Sequence, residues 1–225
     1  MNKYLKLGKF SISVPVALTG FLGYFMVQAR FDLHALYTVT GIFLLSMASA
    51  SLNQIQERHT DALMRRTAQR PIPAGQISLR GAILFSLILA AAGTGLLLLT
   101  NYWLAAVLGL FTLAWYNLVY TPLKRITAFA VLPGAVIGAL PPLIGWTAAG
   151  GYLLDMEILA VAFLLFVGQM PHYWLLLLKV GDEFHQAGLP VITSLFDQRQ
   201  IRNLSFMWIA ATGDCVLMLP ATPII

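Results

Sequence analysis

The chain has 225 residues, 59% of them hydrophobic and only 10% charged, and its mean hydropathy is +0.78. An ordinary soluble domain carries about 25% charged residues, so this composition excludes a soluble globular protein and points to repeated apolar runs of membrane-spanning length. The net charge of +5 sits in short stretches between those runs and implies no nucleic-acid partner, and the single Cys215 excludes a disulfide framework or a clustered-cysteine metal site.

Seven runs of roughly 17–24 mostly apolar residues read as spans. The first, Phe10–Ala29, follows Lys3, Lys6 and Lys9 like a signal peptide. It is longer than such an apolar core, has no small-residue cleavage site, and precedes further spans, so it is retained. Leu36–Leu52, Gly81–Thr100, Tyr102–Val119, Ile126–Ala149 and Ile158–Leu178 follow. Leu204–Ile225 is the most polar, with Asp214, Pro220 and Pro223. The expected fold is a single all-α domain over residues 1–225, a multi-pass transmembrane bundle around a central cavity open to the cytoplasmic face, with lipid as its surroundings.

Threading the chain through these spans puts every Lys and Arg except Arg30 on one face. Cytoplasmic loops carry excess Lys and Arg, so that face is expected to be cytoplasmic, with the N-terminus there and, in a bacterium, the inner membrane as location. The two long connections, Asn53–Arg80 and Lys179–Asn203, lie on the same face. Long loops are where sites concentrate.

If the second helix continues past the interface, Asn53, Glu57 and Asp61 recur at i, i+4 and i+8 in one row, about 6 Å per turn. Two carboxylates and an amide oxygen are hard ligands that suit Mg²⁺ bridged to a phosphate. Arg65, Arg66 and Arg70 follow, and guanidinium forks match phosphate oxygens. By spacing alone, a diphosphate–Mg²⁺ site and a set of local ion pairs in a basic loop both remain open.

The identities go further. Asn53-x-x-x-Glu57-x-x-x-Asp61-x-x-Met64-x-Arg66-Thr67-x-x-Arg70-Pro71-x-Pro73-x-Gly75 resembles the first signature of the UbiA superfamily of intramembrane prenyltransferases. Its Met64-to-Pro71 portion is most similar to the branch that farnesylates protoheme IX. Tyr120-Thr-Pro-Leu-Lys124-Arg125 resembles a second family element, one residue shorter here. Gly134-x-x-x-Gly138-Ala-Leu-Pro141-Pro142-Leu-Ile-Gly145-Trp146 resembles a third. Pro171-His172-Tyr-Trp174 and Asp182-Glu183-Phe184-x-x-Ala187-Gly188-x-Pro190 complete the likeness, which covers essentially the whole chain.

The resemblance implies two acidic sites facing one cavity and holding farnesyl diphosphate through Mg²⁺. Asn53, Glu57 and Asp61 match the first, and Asp182 and Glu183 the start of the second. Lys124, Arg66 and Arg70 would meet the diphosphate, with Arg65, Arg125, Lys179 and Tyr120 beside them. His172 and Trp174 are candidates to meet a protoheme acceptor, and Trp115, Tyr116, Tyr120, Trp146 and Trp174 to face an allylic cation. Packing is the plainer reading of each aromatic alone. Gly134 and Gly138 read first as helix-packing positions. A quinone or lipid acceptor, and a catalytically degenerate scaffold or heme-handling role, are the alternatives. Glu57 and Glu183 stand where the family usually has Asp, and His59 where it usually has a further acid. Family members usually have nine helices, so the chain is expected to lack the last two: as a truncated form, as a chain whose ring is closed by a partner subunit or self-association, or as one that has lost activity.

Overall fold

The computed structural model describes residues 2–218 and contains helices but no strand among them. A short helix α1 (Lys3–Leu7) leads into α2 (Phe10–Gln28), α3 (Leu33–Leu63) and α4 (Leu79–Leu98). Then come α5 (Trp103–Ala114), a π-helical stretch (Trp115–Tyr120), the single turn α6 (Thr121–Leu123), α7 (Val131–Ala148), α8 (Met156–Gln186) and α9 (Gln198–Met218). Six helical segments among the described residues are long and apolar enough to cross a membrane. They correspond to the first six expected spans. Part of the seventh, Leu204–Ile225, lies outside the described residues.

Two helices run further than hydropathy alone implies. α3 continues through Leu63 and α8 through Gln186, so both acidic segments sit on helical extensions of the spans rather than in irregular loops. The fifth span starts later than expected, at Val131. Starts are fixed by polar caps: the Asp32 and Ser78 side chains accept from Ala35 N–H and Gly81 N–H, satisfying N–H groups that have no partner inside the helix.

The bundle packs α2 against α3 and α7, α3 against α4, α7 against α5 and α8, and α8 against α9. One end gathers Lys9, Lys124, Arg70 and Arg125 around α3. The opposite end holds Arg30, paired to Asp32 at 3.0 Å. Toward the Arg30 end, glycines bring backbones together. A Cβ at Gly23 or Gly145 would strike the backbone of Pro142 or Gly20 across the α2–α7 contact, and Gly41 and Gly93 meet each other's carbonyls between α3 and α4. Close approach through small residues is how helices associate without a hydrophobic drive from water. Gly134 and Gly138 instead face the Tyr120 ring and the Gln169 side chain.

Candidate active site

Asn53, Glu57 and Asp61 stand in the expected row on the end of α3, and each meets a cation brought by a different part of the chain. Lys9 Nζ donates to Asn53 Oδ1 at 3.1 Å. Lys124 Nζ lies 2.5 Å from Glu57 Oε1. Arg70 Nη1 donates to both Asp61 oxygens at 2.7 Å. Asn53 and Asp61 are each 1% exposed, so these contacts are made away from bulk water. Breaking a buried ion pair by removing one partner costs about 3–5 kcal/mol.

Local structure explains each placement. After α3 ends, the chain turns back on Met64 and Thr67, both buried. Thr67 Oγ1 donates to the Asp61 carbonyl at 2.8 Å, and the turn returns Arg70 to Asp61. This accounts for the Met64, Thr67 and Arg70 positions of the signature. Lys124 reaches α3 from the end of the fourth span. The π-helical stretch before it widens the helix by a residue, a distortion common at functional sites, and directs both Tyr116 and Tyr120 into the cavity. Lys124 Nζ also lies 4.9 Å from the Tyr120 ring centre, and Arg125 donates to the Gln56 carbonyl at 2.6 Å.

Lys9 is the site residue that sequence reasoning missed. It takes a left-handed backbone at φ 49°, a conformation costing a non-glycine residue roughly 1–2 kcal/mol. The turn is held from α3, where the buried Gln54 amide donates to the Lys6 and Leu7 carbonyls at 3.2 and 2.8 Å. Burial first, then the positive charges of Arg70 and Lys124, push the Lys9 ammonium down to about 7. No local sequence signal marked it, because a lysine just before a span reads as an ordinary basic flank.

Below this polar row lies a cavity of about 330 Å³, within the roughly 300–1,000 Å³ of small-molecule clefts. Lys9 stands at its polar end, Tyr116, Tyr120 and Tyr173 form its aromatic wall, and most of the remaining lining is apolar. The second acidic segment meets the turn after α3 where Glu183 Oε2 accepts the Arg66 N–H at 3.3 Å. Arg66 itself points outward, its guanidinium 6.0 Å from the Phe184 ring. The side chains of Asp182 and Lys179 lie outside the described residues, and Arg65 is exposed.

The acceptor candidates fall off the cavity. Trp174 is buried in an apolar cluster beside Trp208, His172 is exposed on α8, and the residue between them, Tyr173, lines the cavity. Successive helical residues differ by about 100°, so a short motif does not fix which of three neighbours faces inward. Trp115 and Trp146 donate to the Pro133 and Tyr152 carbonyls and serve packing. Among the described residues no three His, Cys, Asp or Glu side chains gather as a closed metal cage. An amide oxygen and two carboxylates along one helix face instead form an open oxygen donor set. That set fits Mg²⁺, which keeps several waters and binds through one or two carboxylates plus substrate phosphates.

Residues 13–224 match the UbiA prenyltransferase family. The protoheme IX farnesyltransferase of Geobacter sulfurreducens is 43% identical over 184 residues, 81% of this chain and 67% of that protein. The protein of the same name from Nitratidesulfovibrio vulgaris strain DP4 is 36% identical over 218 residues, 96% of this chain and 76% of that one. Among solved structures, a UbiA homolog from Aeropyrum pernix K1 superimposes with a TM-score of 0.80 at 21% identity, over 94% of this chain and 79% of that one. A UbiA homolog from Archaeoglobus fulgidus bound to GPP and Mg²⁺ gives 0.75 at 18% identity, over 97% and 77%. At these identities the two structures share the fold.

Proposed function

We infer the reaction from a plain premise: the chain belongs to the UbiA prenyltransferase family and is a multi-pass membrane polyprenyl transferase. Within that activity, the reading is farnesyl transfer from farnesyl diphosphate to a vinyl group of protoheme IX. The observation that carries it is the row Asn53, Glu57 and Asp61, each paired with a cation, standing over an apolar cavity. Such a row receives a diphosphate head, and such a cavity receives a hydrocarbon tail. The names of the two bacterial relatives support heme as the acceptor.

Asn53, Glu57 and Asp61 would hold Mg²⁺, with Glu183 contributed by the second acidic segment. When bound, the metal neutralises the diphosphate and favours its departure. The chain's own cations do the rest. Lys9, Lys124 and Arg70 exchange their present oxygen partners for phosphate oxygens, so fixed positive charge stands where the leaving group gains negative charge. Arg65, Arg66 and Arg125 are exposed at the same end and draw the anionic substrate in. The C1–O bond of the farnesyl diphosphate breaks, and C1 bonds to the terminal vinyl carbon. The cation left beside the porphyrin takes up water, which loses a proton to give a hydroxyethyl group. The Tyr116, Tyr120 and Tyr173 rings face the allylic cation before capture, each worth about 0.5–2 kcal/mol. The basic end is the cytoplasmic one, following the excess of Lys and Arg on it.

Incubating the purified protein with farnesyl diphosphate, Mg²⁺ and protoheme tests the reading. Mass spectrometry is expected to find a hydroxyethylfarnesyl heme. Its absence, under conditions where a longer relative makes it, would move the assignment to another acceptor or to a binding role.

A further inference from the structure

We propose that Ser49 and Ser46, on the cavity wall of α3, hold the water that ends the reaction, so that the product leaves as an alcohol and not as an alkene. This rests on the heme-farnesylation reading and goes beyond it, because that reading consumes a water and assigns it no residue. The row on α3 continues past Asn53. Ser49 and Ser46 lie about 6 and 10 Å further along the helix from it, and both line the cavity. Ser13, one turn past Lys9 on α2, lines it too. Hydroxyls therefore descend from the polar end into a cavity whose lining is otherwise mostly apolar.

Their bonding differs from that of hydroxyls elsewhere in the bundle. A serine inside a helix commonly donates to the carbonyl four residues back, as Ser51, Ser86 and Ser205 do at 2.8 Å. Ser46 instead donates across to Ser13 Oγ at 3.0 Å, and Ser13 donates to the Gly8 carbonyl at 3.1 Å. Ser49 is 9% exposed and makes no hydrogen bond among the described residues. A buried hydroxyl without a partner is destabilising, and a hydrocarbon tail offers it none, so cavity space alone would favour alanine. Side chains three residues apart on a helix stand about 5–6 Å from each other, a gap that one water spans with two ordinary hydrogen bonds. Ser46, whose own proton is committed to Ser13, accepts one of that water's protons and Ser49 accepts the other. An oxygen lone pair is then left for the cavity.

That water decides between two outcomes. Bonding of C1 to the terminal vinyl carbon leaves the positive charge on the vinyl carbon beside the porphyrin. Loss of a proton from the newly joined CH₂ turns its C–H electron pair into a C=C bond. Attack by the water's lone pair forms a C–O bond instead. The proton it sheds passes through Ser49 to the departed diphosphate, which left with the C1–O electron pair. A head held at Lys9 and Asn53 puts C1 near the level of Ser49, one turn below Asn53.

The test is mass spectrometry of the heme products made by the full chain in detergent from farnesyl diphosphate, Mg²⁺ and protoheme, because the alkene is lighter than the alcohol by one water. The wild type is expected to give almost only the alcohol. Ser49→Ala, and more so Ser46→Ala combined with Ser49→Ala, is expected to raise the alkene-to-alcohol ratio by about tenfold, the scale of one lost hydrogen bond. Ser49→Thr keeps the hydroxyl and is expected to restore the wild-type ratio. The ratio is read per farnesylated heme, so slower turnover in a variant does not move it. An unchanged ratio in both alanine variants, an equal shift with Ser49→Thr, or loss of all transfer with no alkene formed overturns the water site and leaves the farnesyl-transfer reading standing. A wild type that yields no farnesylated heme removes both.

Discussion

The two acidic segments of this protein are built differently. The first, on α3, has Asn53 and Asp61 buried and each of its three oxygen-bearing side chains matched to a cation from α2, the turn after α3, or the end of the fourth span. In the second, on α8, Glu183 is half-buried and accepts a backbone N–H from Arg66. The first segment is a preorganised charge array whose partners can be exchanged for those of a substrate. The second is an arm that touches the first at a turn. The contrast predicts that losing a group from the α3 array costs more activity than losing one from α8.

The largest expected effect is at Asp61. Asp61→Ala should lower farnesyl transfer by about 100-fold or more, the scale of losing a principal electrostatic group, while membrane insertion is preserved. Lys124→Ala should follow closely, with the loss in kcat rather than KM because its charge opposes charge that develops as the diphosphate leaves. Glu183→Gln should cost about tenfold, a smaller effect because it removes charge from the arm and not from the array. A Glu183→Gln variant as inactive as Asp61→Ala would erase the distinction between the two segments. The smallest expected effect is a titration. In the ligand-free protein Lys9 should titrate near 7, far below an ordinary lysine at 10.5, charged below that pH and neutral above it. Isotope-edited NMR of the reductively methylated protein, with Lys9→Met identifying the signal, measures it.

Much of this was readable beforehand. The i, i+4, i+8 spacing of Asn53, Glu57 and Asp61 needs only that the helix continue, and α3 does continue to Leu63. The charge asymmetry separated Arg30 from the other basic residues, and the structure holds Arg30 at the end opposite Lys9, Arg70, Lys124 and Arg125. Rotational phase and backbone departures were not readable. Tyr173 rather than His172 or Trp174 faces the cavity, a distinction of one residue on a helix apolar on several sides. Lys9 enters the site through a left-handed turn held by Gln54 some forty residues away in sequence, and no local pattern encodes such a contact. The glycine contacts between α2 and α7 were equally hidden, because Gly20, Gly23 and Gly145 look alike in sequence to Gly134 and Gly138, which serve the cavity instead.

The most direct test is a crystal structure of the full chain with farnesyl thiolodiphosphate and Mn²⁺ standing in for Mg²⁺, with anomalous scattering to locate the metal. The array on α3 predicts a peak bridging Asn53, Asp61 and the diphosphate, with Arg70 and Lys124 turned from their carboxylates to phosphate oxygens. A diphosphate bound elsewhere, with the Arg70–Asp61 and Lys124–Glu57 pairs unchanged and no metal beside Asp61, would contradict it.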